Sequence, residues 1–212
     1  MRNPEPHRFS ETLRRIEEHA LEKDLTLREL LILAGPGGEV FLSILLVLPF
    51  LQPIPLPGLS IPLGLAVTTL GFCEMIGSAK ISAWLPERVS STRLPSGAIT
   101  KICRVASLLL IQIEKIGIRE RGQSIFTHGA TRRLVGFLIF LHGVVLALPI
   151  PIPLTNCMPS IVVLLLALAS VEEDAGLLVV ALLAVVIDAL FFAALVLLPL
   201  KGFGLGPAWL HF

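Results

Sequence analysis

The chain has no tyrosine, only two tryptophans, three cysteines and three methionines among 212 residues, and just 16% of its residues are charged. Each shortage excludes something. Cys73, Cys103 and Cys157 are odd in number and lack disulfide or zinc spacing, so free thiols and no metal site are expected. Soluble domains are about a quarter charged. A charged share of 16%, a hydrophobic share of 54% and a mean hydropathy of +0.85 do not suit a soluble globule. There is no Gly-rich phosphate loop, no nucleophile elbow and no His-Glu-x-x-His, so neither an enzyme nor a cofactor is expected. The basic residues lack aromatic interleaving, which argues against nucleic acid. The opening thirty-odd residues are polar and charged where a signal peptide needs an apolar core.

What is present is apolar sequence in blocks. Gly176 to Leu198 is a run of 23 residues whose one charge is Asp188, above the ~20 needed to cross a bilayer core. The composition predicts an all-α polytopic integral membrane protein, with the lipid bilayer as its first partner.

Two proline-broken apolar stretches organise the rest. FLSILLVLP, FLQPIPLPG and LSIPLGLAVTTLGFC lie between Glu39 and Glu74. LVGFLIFLHGVVLALP, IPIPLTNCM and PSIVVLLLALAS lie between Leu134 and Asp174. Pro53-Ile54-Pro55-Leu56 aligns with Pro151-Ile152-Pro153-Leu154 at an offset of 98, which sets Gly58 against Asn156 and Glu74 against Glu172. Matched, Pro-interrupted segments in two halves point to a transporter's binding site. Pro53, Pro55 and Pro57 exclude regular helix from Phe50 to Gly58. The loop is then either re-entrant, inside protein or against a water-filled cavity, or the surface turn of a plain helical hairpin.

Five segments follow from this: an amphipathic cytoplasmic arm (1–38), a broken hairpin (39–76), a basic segment (77–133), a second broken hairpin (134–174) and a transmembrane helix (175–200). In the arm, Leu13, Ile16 and Ala20 recur at helical spacing, and Thr26 to Glu29 fits a capping box after a break near Asp24. The expected placement is flat on the membrane face. The basic segment holds ten basic residues against three acids, which makes it cytoplasmic by the positive-inside rule. Ser96 is a candidate cap for an interfacial helix from Gly97 to Ile118.

Nine positions invite a chemical reading. Asp188, mid-helix, suits a proton or cation site, or else a hydrogen-bonded strut between helices. Glu74 and the Glu172-Glu173-Asp174 cluster close the second run of each half, as matched cation groups or as helix exits. Ser60, Thr155 and Asn156 sit at the turns, where helix N-termini near Leu59 and Pro159 favour an anion; ordinary capping is the alternative. His142 is read as a packing residue in preference to a titrating one.

The run LLVLPFLQPIPLPGLSIPLGLAV, then Trp84-Leu85-Pro86, then PIPLTNCMPSIVVLLLALASVEEDAG resembles the ExoD family of bacterial inner-membrane proteins over about residues 10–200. Pro55 to Ser60, the Trp-Leu-Pro stop, and Thr155, Asn156 and Pro159 carry the resemblance. It implies an association with exopolysaccharide synthesis and, in symbiotic bacteria, with host invasion and alkali tolerance. Asp174-Ala175-Gly176 stands where the family has an Asp-Gly pair, which argues against a tight Gly turn directly after Asp174.

Three functions stay open. The first is a small transporter or channel for an ion or solute. Its site would lie at the midplane between the loops Gln52–Ser60 and Pro151–Pro159, with Asp188 and Glu74 as proton or cation groups. The second is a non-catalytic scaffold for polysaccharide-assembly proteins, compatible with a homo-oligomer. The third, an enzyme on a lipid-linked sugar, lacks the convergent acids it would need.

Overall fold

A computed structural model describes residues 8–35, 38–51, 60–77, 129–148 and 154–202, with short pieces at 93–94, 96–97, 99–100, 103–104 and 126. The predicted Pro53, Pro55, Pro57, Gly58, Pro151 and Pro153 lie outside the described residues, as does most of the helix expected from Gly97 to Ile118.

The arm forms two short helices, α1 (Arg8–Glu22) and α2 (Leu27–Ala34), broken at Asp24 as the sequence predicts. Thr26 caps α2: its hydroxyl accepts from the Glu29 amide, and its own amide donates to the Glu29 carboxylate. This reciprocal box satisfies two of the amides that every helix start leaves free. Asp24 accepts from the Ser96 amide at 2.9 Å, and Leu25–Thr26 pairs antiparallel with Arg93–Leu94. The arm is thereby tied to the basic segment.

Its apolar face does not lie on lipid. Leu13, Ile16 and Ala20 are 0–4% exposed within the core, and α1 packs on α2 and on the helix Cys157–Glu172. Ile99 and Cys103 join the same core. A face of three or four side chains gains more from a fixed protein surface that it fits than from a headgroup layer that it only wets.

Among the described residues five further helices follow: α3 (Gly38–Val47, continued by a 3-10 turn to Leu51), α4 (Ser60–Ile76), α5 (Gly129–Ala147), α6 (Cys157–Glu172) and α7 (Ala175–Gly202). α3 packs on α4 and α6, and α5 packs on the same two, closing a ring of four; α7 lies outside against α6. α6 is apolar on all sides and largely buried, as a central helix must be.

The closest contact is the seam between α4 and α5. A Cβ at Gly64 would meet the Ala147 backbone, at Gly71 that of Phe140, at Gly136 that of Met75 and at Gly143 that of Thr68, all within 2.3–2.5 Å. The partner numbers fall as the glycine numbers rise, so the helices are antiparallel. Each helix has its glycines seven residues apart, which keeps them on one face and lets the backbones touch.

α5 and α7 are long and apolar enough to cross a membrane, and the pair α2–α3, bent by 116°, could supply a third span. α4, at 17 residues, and α6, at 16, are shorter apolar helices. At 1.5 Å per residue they reach about 24–26 Å, close to the ~30 Å core.

Candidate functional site

Antiparallel packing sorts the predicted residues into two ends and a middle. The first end is where α4 and α6 begin. Ser60 and Thr155 are buried there, at 4% and 2% exposure. Asn156 precedes α6 but makes no side-chain cap bond; its carbonyl accepts from the Ser160 hydroxyl at 2.6 Å instead. The capping weighed as the alternative for Asn156 is therefore absent. Pro159 sits third in α6, where its missing amide leaves no bond unmade. The Cys157 thiol donates to the Leu51 carbonyl at 3.4 Å, which joins the start of α6 to the end of α3.

At the opposite end a cavity of about 330 Å³ opens between the arm and the bundle, lined among others by Glu11, Arg15, Glu74, Arg132, Ser170 and Glu173. Arg132 pairs with Glu173 at 3.2 Å, and Glu74 feels both Arg132 and Glu39. The acid of the second hairpin that shares this cavity with Glu74 is Glu173, one residue beyond its aligned counterpart Glu172. At the rim the Arg15 guanidinium, hydrogen-bonded to Glu11, holds that carboxyl below the usual carboxylate range.

Asp174 has a structural task. Its Oδ1 accepts from the amides of Gly176 at 2.7 Å and Leu177 at 3.1 Å, so it caps α7. The left-handed turn falls on Glu173, at φ 52°, and no Gly is needed after Asp174. This explains the Asp-Ala-Gly sequence.

The middle holds what the sequence reading missed. His142 on α5 is not a lone packing residue. Its Nε2 stands 3.4 Å from Oδ2 of Asp188, and each side chain is 5% exposed. The ring is oriented from behind, since Nδ1 lies 2.7 Å from the Leu138 carbonyl. A carbonyl only accepts, so Nδ1 carries a proton and Nε2 faces Asp188. Asp188 Oδ1 is buried with no hydrogen-bond partner among the described residues. Both groups lie 13 residues into their helices, about 20 Å from the Arg132–Glu173 end at 1.5 Å per residue. The one available signal was that each is the lone ionisable group within a long apolar run.

The six residues proposed for one site thus do not converge: Ser60, Thr155 and Asn156 lie at one end, Glu74 and Asp174 at the other, and Asp188 between them. Among the described residues no three His, Cys, Asp or Glu side chains are grouped to hold a metal ion.

These features define an all-helical protein with two or three apolar helices of membrane-spanning character around a buried acid–base pair. The chain belongs to the ExoD family: the family model described as "Exopolysaccharide synthesis, ExoD" matches residues 9–194. It is similar to Protein ExoD of Rhizobium meliloti (strain 1021), with 34% identity over 157 residues, which cover 73% of this chain and 63% of that relative. The chain therefore matches less than two thirds of the relative's length. No solved structure matches it.

Proposed function

We propose that the chain is a multi-pass inner-membrane protein that serves exopolysaccharide synthesis as a small ion-coupled transporter or channel, with His142 and Asp188 as its working centre. The observation that carries the reading is the buried pair itself. An ionisable group deep in a spanning helix is costly, and such groups mark ion or proton paths by default. Two of them face each other here, and one carboxylate oxygen is left unmatched.

The ends of the bundle give the orientation. The basic segment leaves α4 and enters α5 at the end that carries Arg132, Glu173 and the arm, so that end is cytoplasmic. The opposite end, where α4 and α6 begin, is then periplasmic. Helices of about 24–26 Å favour the hairpin alternative, with the site at mid-helix.

The test is flux in proteoliposomes under an imposed ion gradient. Asp188→Asn should abolish it while leaving the protein folded and inserted. Undiminished flux in that variant would end the transport reading. Full polysaccharide output in cells carrying Asp188→Asn, together with output lost on deleting the arm, would return the chain to the scaffold reading.

A further inference from the structure

The cation handled by the pair can be read from its donors. Leu138 holds the proton on Nδ1, so His142 offers Asp188 either a bare Nε2 or a second N–H. Each alternative has a matching carboxyl. A bare Nε2 fits a protonated Oδ2, and an N–H fits a carboxylate. Both arrangements contain one proton between Nε2 and Oδ2. Without it, two lone pairs face each other at 3.4 Å in a site that excludes water.

A metal ion would find too few ligands. Nδ1 is occupied, and Nε2 and the carboxylate alone fall short of the four to six donors that cations require. No third His, Cys, Asp or Glu joins them among the described residues. A proton needs only the two atoms present. The other titratable groups on the surrounding elements lie towards the helix ends: Cys73 and Glu74 on α4, Arg132 and Arg133 on α5, Cys157 and Glu172 on α6, Lys201 on α7 and Glu39 on α3.

At this depth α7 is held by Asp188 and by the partly buried Leu182, Ala184 and Val185, which pack against the core. Its contact stripe runs through Leu177, Leu178 and Ala181 to Asp188, while Val179, Leu183, Val186, Ile187 and Leu190 point outward at 55–65% exposure. Beyond Ala181 the next fully buried side chain is Asp188 itself.

We infer that His142 and Asp188 form a one-proton binding site, and that release of the proton parts α7 from α5. This rests on the proposed transport role and names its coupling ion. The step is a proton transfer alone. One O–H or N–H bond breaks, its electron pair stays on the pair, and water takes the proton. The orphaned Asp188 Oδ1, itself buried, is an acceptor that water reaches only once the helices part.

Infrared difference spectroscopy on the full chain in nanodiscs, titrated from acid to alkaline pH, reads the site directly. The protonated-carboxyl band of Asp188, assigned by its loss in Asp188→Asn, should fade as pH rises. A dye should report one proton released per chain, absent from the variant. A band that keeps its intensity throughout, or proton release equal in both proteins, would overturn the site. If Asp188→Asn fails to fold, His142→Gln serves instead: the band's midpoint must move, and an unmoved midpoint would be equally fatal. The double exchange His142→Asp with Asp188→His should restore one-proton release, which a strut that only packs would not do. A titrating band without flux would keep the proton site and remove transport; flux without titration would do the reverse.

Discussion

The seam between α4 and α5 and the seat of α7 are opposite solutions to holding apolar helices together. In the seam, backbone meets backbone at four glycines, and the contact is dispersion between close-packed atoms along the full length of both helices. α7 has no such seam: 11% of its most apolar window is buried, against 33% for α5. It is capped by Asp174 at its start, and its deepest inward anchor is Asp188. One region therefore has many small contacts that fail together, and the other has a few distinct ones that can be released singly. Ionisable chemistry is found at the second.

The sharpest way to break the comparison is at the seam. Gly71→Leu or Gly143→Leu drives a side chain into the opposing backbone, and should cost about 3 kcal/mol or more, the upper end for overpacking. Purified protein should show a lower unfolding temperature or no monodisperse peak at all. Gly129→Ala is the matched control, since nothing lies within 4 Å of the Cβ it adds.

A smaller effect should follow from loosening α7 at its start. Asp174→Ala frees the amides of Gly176 and Leu177, worth about 1 kcal/mol for a lost cap. Hydrogen exchange should rise across 175–178 and stay unchanged across 64–71.

How much of this was legible beforehand depended on distance along the chain. α7, the Thr26–Glu29 box, the break at Asp24 and the helix starts at Ser60 and Cys157 rest on local signals: an apolar run, a cap, a proline. The buried face of α1 did not, because Leu13 and Ile16 look the same whether lipid or protein covers them. His142 and Asp188 are 46 positions apart, and nothing local says that two lone ionisable groups will meet. The seven-residue spacing of Gly64 and Gly71, repeated in Gly136 and Gly143, was visible, and only the paired numbering gives it meaning.

Arg132→Ala should do less than the loss of the cap. It removes an ion pair half open to solvent, worth up to about 1 kcal/mol, and should leave both seam and seat intact by thermal unfolding. Cys103 reports on the arm. Burial, helped by the nearby Glu17 charge, pushes its thiol up to about 11. Maleimide should label it at neutral pH only slowly while α1 is docked, and much faster after the arm is removed.

The least effect belongs to Glu11. Its carboxyl is held below the ordinary 4.5, so its contribution is present above that value and fades as the pH falls beneath it. Glu11→Gln should therefore lower the arm's stability slightly at neutral pH, leave it unchanged at strongly acid pH, and flatten the acid limb between them.

One measurement separates the two regions in a single sample series. Spin labels at Leu65 and Phe137 report α4 against α5, and labels at Phe137 and Leu190 report α5 against α7, all on exposed positions. Double electron–electron resonance in nanodiscs should show the first distance unchanged between acid and alkaline pH. The second should lengthen at alkaline pH, and Asp188→Asn should abolish its pH dependence. A second distance that stays fixed with pH, or that moves equally in the variant, would contradict the account.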